Sequence, residues 1–191
     1  MGTYRISVIG MGYVGLCTAV AFASKGYTII ASETDTEKAN MINRSIPPFY
    51  EPGLNETLAE VLRNSCFKCT SSTETAVLNT DITFITVGTH SKPDGSIDLY
   101  YIESSAREVG AAISNKDAYH LVVVKSTVIP GTTENIVKPI LEESSGKRCG
   151  TDFRLCMNPE SLREGSALHD IFLPLLGPAL VLFPIEPCQG Q

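Results

Sequence analysis

The chain has 191 residues, with 15 Lys and Arg against 21 Asp and Glu, 43% apolar residues and 15 glycines. That composition excludes a disordered chain, collagen and a disulfide-framed mini-protein, and its length suits one large hydrophobic core with at most a short extension. A net charge of −6 on a chain with only 19% charged residues leaves no polybasic face for duplex DNA, so nucleic acid is not expected as a partner.

No apolar run reaches the roughly 20 residues that cross a bilayer. The apolar run at residues 6–9 is short and interrupted by Ser7, which does not fit a secretory leader. No membrane association and cytoplasmic residence are therefore expected. Cys17, Cys66, Cys69, Cys149, Cys156 and Cys188 are then reduced thiols.

Apolar stretches of strand length at residues 6–9, 28–31, 82–87, 121–124 and 153–157 read as buried parallel strands. Between them, residues 14–24, 37–44, 54–63, 100–113 and 134–143 carry helical periodicity. Alternation of this kind predicts an α/β fold, an open and mainly parallel sheet covered by helices on both faces. The composition changes near Asp170: residues 174–191 hold four of the eleven prolines and a single charged residue, Glu186. The expected division is a dinucleotide-binding domain over 1–170 and an irregular Pro-rich tail over 171–191, since prolines remove backbone donors and fix φ.

The string Gly10-Met11-Gly12-Tyr13-Val14-Gly15 directly follows the first strand and opens a helix. In that setting the first glycine permits a tight turn, the second lets backbone approach a diphosphate, and the third lets helix and strand pack closely. The helix N-terminus supplies the anion-binding amides, and no Walker lysine is present. Glu33, after the second strand, stands about 20 residues on, where a carboxylate accepts hydrogen bonds from the adenosine ribose and repels a 2′-phosphate. NAD is thus expected over NADP, in a Rossmann-like, doubly wound sheet. Asp35 competes for the ribose role, Lys38 weakens the discrimination against NADP, and the alternative for Glu33 is a cap on the helix that follows.

Several strings together resemble the UDP-glucose/GDP-mannose dehydrogenase family, in its NAD-binding domain. They are residues 10–16, Phe49-Tyr50-Glu51-Pro52-Gly53-Leu54, Thr86-Val87-Gly88-Thr89, Asp94-Gly95-Ser96-Ile97-Asp98-Leu99, residues 125–133 beginning Lys125-Ser126-Thr127, and residues 158–165 beginning Asn158-Pro159-Glu160. The resemblance covers residues 4–170. It implies that Val87, Gly88 and Thr89 contact NAD, that Ser126 and Thr127 flank the nicotinamide, and that Thr127 with Glu160 handles water or a proton in thioester hydrolysis. It also implies that Glu164 meets the cofactor, with Glu160, Leu162, Arg163 and Glu164 beside the sugar nucleotide. Read from the residues alone, Thr127 suits a turn before Pro130, and Glu160 and Glu164 share a face only if their segment is helical.

The family oxidises a sugar primary alcohol twice with NAD, trapping the aldehyde on a cysteine that lies in a central domain. None of the six cysteines here has that cysteine's Gly-rich and Lys-Asp neighbours, and the family pattern is lost after His169-Asp170. The resemblance favours UDP-glucose over GDP-mannose as the substrate of the full enzyme, which is homodimeric. This chain is expected to be a truncated or frame-altered product, to bind NAD and to turn nothing over alone. The alternative is a non-catalytic dinucleotide-binding module with a regulatory or assembly role. Cys66-Phe67-Lys68-Cys69 could join Cys149 and Cys156 around zinc, but residues 67–70 read as a strand, so no metal is expected.

Overall fold

Strands that are apolar on both faces need a covering layer above and below, and the apolar runs of this chain meet that need in one sheet. In the computed structural model, which describes residues 4–159 and 161–172, the strands are β1 (Arg5–Ile9), β2 (Thr28–Ser32), β3 (Phe67–Thr70), β4 (Ile82–Ile85), β5 (His120–Val124) and β6 (Phe153–Met157). All pair in parallel, in the order β3-β2-β1-β4-β5-β6. The crossovers are α1 (Tyr13–Ser24), α2 (Thr36–Asn43) and α3 (Leu54–Arg63), α4 (Thr73–Leu78), and α5 (Tyr100–Ser114). A π-helical turn (Thr133–Val137) runs into α6 (Lys138–Ser145), and α7 (Ala167–Phe172) follows β6. The chain winds outward from β1 to one edge and returns to β1's other side, so the strand order reverses between β1 and β4. That reversal opens a crevice at the strands' C-terminal ends.

Register assigns the two faces. Val8, Ala31, Phe84 and Val123 lie side by side across the sheet and pack with Leu16, Val20, Leu58 and Leu168 from α1, α3 and α7. Ile9, Ile85 and Val124 face the other way, against Ile102, Val109 and Leu141 from α5 and α6. Each fully buried aliphatic side chain contributes about 1.5–3 kcal/mol, so the two layers hold the sheet from both sides.

The sheet's interior also carries a polar chain. Thr80 Oγ1 donates to Ser7 Oγ (2.9 Å), Ser7 Oγ meets Thr83 Oγ1 (2.6 Å), and Thr83 Oγ1 meets His120 Nε2 (2.7 Å). His120 Nδ1 lies 3.0 Å from Lys116 Nζ, which also donates to the carbonyls of Val77, in the last turn of α4, and Thr80, just past it. An ammonium only donates, so Nδ1 is the acceptor and Nε2 carries the proton toward Thr83. His120 is fully buried; burial first, and then the ammonium of Lys116, push its pKa down to about 3.

The structure departs from the sequence expectation in several places. The helix expected over 134–143 begins with the π-helical turn; Pro139, at the start of α6, has no amide to donate to an α-helical bond. The six-residue α4 carries too little periodicity to detect, and only Ser72, capping Thr75 N at 3.0 Å, announces it. The alternative of a four-cysteine zinc site fails on topology, because Cys66 and Cys69 belong to β3 and its approach while Cys149 and Cys156 belong to β6 and its approach, at opposite edges of the sheet. Among the described residues no cysteine is in a disulfide and no helix is long and apolar enough to cross a membrane. Of the tail, Ile171 and Phe172 continue α7, and the expectation for 173–191 lies outside the described residues, as does that for Cys188.

The buried histidine has a pH consequence. The unfolded chain takes up a proton near pH 6.5 and the folded one near 3, so stability falls as pH drops through that interval, by up to about 1.4 kcal/mol per unit. Urea denaturation at pH 7, 6 and 5 should show this slope in the wild type and a flatter one in His120→Gln.

Candidate functional site

The crevice is built first by three glycines, each for a different reason. Gly10 follows β1 with φ +92°, a left-handed conformation, and a Cβ there would meet Val87 Cγ1 at 2.9 Å. At Gly15 a Cβ would lie 1.9 Å from the Gly10 carbonyl oxygen and 2.6 Å from Thr86 Oγ1, so only glycine lets α1 sit this close to the strand ends. Gly12 has an ordinary φ of −71°, and a Cβ there would meet nothing within 4 Å. The backbone at Gly12 therefore borders open space, which any side chain would occupy.

That space faces the N-terminus of α1. The first four amides of a helix have no partner within it, and Gly12 offers no side-chain cap. No acidic residue occupies the first turn, so the positive end of the helix dipole is uncompensated. Backbone donors with no Cβ in front of them make a seat for an anion the size of a phosphate.

Glu33 lines the same cavity, beside the glycine turn. It is 9% exposed, accepts from Met11 N (3.2 Å), Asp35 N (3.1 Å) and Thr34 Oγ1 (3.4 Å), and pairs with Lys38 Nζ at 2.7 Å. Burial opposes its ionisation, but the hydrogen bonds from Lys38 and from the two amides outweigh burial and hold the carboxyl below the usual carboxylate range. The cap on α2 is Asp35, whose Oδ1 accepts from Glu37 N (3.0 Å) and Lys38 N (3.1 Å). Asp35 is thereby committed to the helix, and Glu33 to the cavity.

A cavity of about 550 Å³ brings Gly10, Met11, Gly12, Glu33, Lys38, Val87 and Gly88 together. Its far wall, which the sequence reading missed, is α5: Tyr100, Tyr101, Ser104, Ser105 and Glu108 line it, with His90 at its entrance loop. The signal was present, because these residues fall on one face at helical spacing in the helix that leaves the ligand edge of β4.

Thr89, Ser126 and Thr127 do not line that cavity but are tied beside it. Thr89 Oγ1 donates to the Thr127 carbonyl (2.8 Å), and Ser126 Oγ, buried, donates to the Val87 carbonyl (2.7 Å). Thr86 Oγ1 donates to the carbonyls of Ile9 (2.8 Å) and Gly10 (2.9 Å). Hydroxyls thus fasten the ends of β1, β4 and β5, leaving Thr127 itself exposed.

Beyond β6, Asn158 N still donates to Val124 O (2.9 Å) and Asn158 Oδ1 accepts from Lys125 Nζ (2.9 Å). Glu160 lies outside the described residues. The segment after it is not helical: residues 161–163 are irregular, 164–166 form a turn, and α7 begins only at Ala167. Gly165, at φ +86°, accounts for that late start, so Glu164 stands in a turn rather than on a helix, and its relation to Glu160 lies outside the described residues. Leu162 packs against the α1 core, and Glu164 is exposed. Arg163 pairs with Asp170 (Nη2–Oδ1 2.8 Å, Nε–Oδ2 3.0 Å), and this guanidinium holds the Asp170 carboxyl well below the usual range. No described cysteine lines the cavity.

Comparison with known proteins agrees with this geometry. The sequence pattern of the UDP-glucose/GDP-mannose dehydrogenase family, NAD binding domain, matches residues 4–175. The chain is 41% identical to GDP-mannose 6-dehydrogenase of Azotobacter vinelandii over 187 residues, 98% of this chain and 42% of that protein. It is 41% identical to UDP-glucose 6-dehydrogenase AglM of Haloferax volcanii over 170 residues, 89% of this chain and 39% of that one. In structure it resembles a ternary complex of GDP-mannose dehydrogenase from Pseudomonas aeruginosa, with TM-score 0.87 and 43% identity over 89% of this chain and 39% of that one. It likewise resembles a UDP-glucose dehydrogenase from Pyrobaculum islandicum, with TM-score 0.86 and 45% identity over 91% of this chain and 39% of that one. The chain spans about 42% of the length of curated relatives such as the Azotobacter protein. The match extends past Asp170, to residue 175 in the family pattern and over 187 residues with the Azotobacter protein, which corrects the expectation that the family pattern ends at Asp170. The chain belongs to the UDP-glucose/GDP-mannose dehydrogenase family, as an NAD-binding, Rossmann-like domain.

The glycines separate folding from binding. Gly12→Val should fold and melt near the wild type yet lose NAD affinity at least about tenfold, whereas Gly15→Ala should lower the melting temperature or prevent folding. Thermal melts and NAD titration of the two variants check this.

Proposed function

We propose that this chain is the coenzyme-binding half of a nucleotide-sugar dehydrogenase that oxidises the primary alcohol of a sugar nucleotide to a carboxylate. The open space at Gly12, with the bare N-terminus of α1 and Glu33 bordering one cavity, carries this reading. NAD, when bound, supplies the hydride acceptor. The amides of residues 12–15 hold its diphosphate; Gly10, Met11, Tyr13 and Val14 shape the turn, and Gly15 holds the helix against it. Glu33 accepts from the adenosine ribose, and Lys38 orients that carboxylate. Val87, Gly88 and Thr89 border the chain of the coenzyme, while Ser126 and Thr127 flank its nicotinamide end.

The catalytic pair is Thr127 with Glu160, which position water or relay its proton as that water opens the thioester. Leu162, Arg163 and Glu164 stand where the sugar nucleotide meets the coenzyme. The preference for UDP-glucose is not supported by the relatives, since GDP-mannose 6-dehydrogenase of Azotobacter vinelandii matches 98% of this chain and UDP-glucose 6-dehydrogenase AglM matches 89%, at 41% identity each. The substrate is therefore proposed at the level of the class, a nucleotide-linked hexose with a free C6 alcohol.

Calorimetric titration with NAD and NADP tests the coenzyme assignment. The wild type should prefer NAD. Glu33→Ala should lose about tenfold or more in NAD affinity, the scale of a charge-assisted hydrogen bond, and should narrow the gap to NADP because Lys38 is freed toward a 2′-phosphate. Equal NAD affinity in the variant would overturn the ribose assignment.

A further inference from the structure

Glu51 is a buried carboxylate, 3% exposed, in the loop between α2 and α3. Among the described residues no cation pairs with it. Its charge is met instead by donors from two distant parts of the chain. Oε1 accepts from Ala167 N (2.7 Å), and Oε2 accepts from Gly165 N (2.8 Å) and from the Tyr13 hydroxyl (2.6 Å). The Tyr13 hydroxyl also lies 3.1 Å from the Arg163 carbonyl oxygen, and its ring packs on Phe49 at 5.1 Å between centroids.

The connection is one residue long. Tyr13 is the first residue of α1, so its amide belongs to the anion seat while its hydroxyl holds Glu51. Glu51 in turn holds both amides that bracket the start of α7, at the end of an irregular stretch and turn. A ligand that fixes the Tyr13 amide also fixes the ring, the carboxylate and the turn at residues 164–166. Arg163 and Glu164 lie on that tethered stretch.

We propose that Glu51 is a positioning residue that links the dinucleotide seat, through the Tyr13 hydroxyl, to the segment carrying Arg163 and Glu164, so that coenzyme binding tightens that segment. This rests on the proposed seating of NAD at α1. The contribution of Glu51 is the order it imposes on the 161–167 stretch, and it touches neither coenzyme nor substrate.

Hydrogen–deuterium exchange of the full chain, with and without NAD, tests it in the wild type, Glu51→Gln and Tyr13→Phe. In the wild type NAD should slow exchange at residues 10–16 and, by about fivefold or more, at Gly165 and Ala167, the lower range of coupling between sites. Glu51→Gln, which sets an NH2 against one of the two amides, should keep protection at 10–16 and lose the NAD-linked protection at Gly165 and Ala167. Tyr13→Phe retains both Glu51–amide bonds and removes the hydroxyl's bonds to Glu51 and to the Arg163 carbonyl, so it should show the same loss of NAD-linked protection even if Glu51→Gln does not fold. NAD-linked slowing at Gly165 and Ala167 that survives Tyr13→Phe, or that is missing in the wild type while residues 10–16 are protected, overturns the proposal. Absence of protection at residues 10–16 in the wild type overturns the coenzyme seating, and this inference with it.

Discussion

The approach of α1 to the strand ends is the constraint on which the rest of the structure depends. At Gly15 no Cβ fits between the helix, the Gly10 carbonyl and the Thr86 hydroxyl. That contact sets the helix N-terminus at the point where strand order reverses, with its amides turned outward and no side chain in front of Gly12. A helix displaced by even one methyl group would carry the anion seat away from Glu33 and Val87. The site is therefore a consequence of packing, and the glycines that look permissive in sequence are restrictive in space.

Around that contact, hydroxyl groups do the stitching that apolar packing cannot. Thr86 ties β4 to the turn after β1, Ser126 ties the end of β5 to Val87, and Thr89 ties the same region to Thr127. Each bond spans a gap between neighbouring strand ends, so the loops that face the cavity share one frame. On the far side, the Ser7–Thr83–His120–Lys116 chain satisfies every polar group it buries and joins three strands to the end of α4. A polar core of this kind is stable only when complete, because one missing partner leaves the others buried and unpaired.

Much of this was legible in the sequence, for local reasons. The strand runs, the glycine turn and Glu33 all express themselves within about 25 residues, through periodicity, spacing and the demands of one backbone turn. What stayed hidden depends on distance along the chain. Glu51 reads as a loop carboxylate until Gly165 and Ala167, more than 110 residues away, are seen to donate to it. The spacing of carboxylates after Pro159 suits a helix or a surface turn alike, and over residues 161–166 the left-handed Gly165 decides for the turn, with the helix starting only at Ala167. The α5 wall was missed because its tyrosines and serines read equally well as the solvent face of an amphipathic helix.

The central claim is that the amides opening α1 receive the diphosphate of NAD while Glu33 receives its adenosine ribose. A crystal structure of the chain grown with NAD tests it most directly. The account predicts phosphate oxygens within hydrogen-bonding distance of the amides at residues 12–15 and ribose hydroxyls on the Glu33 carboxylate. Coenzyme bound at any other surface, with the space beside Gly12 filled by solvent, would contradict it.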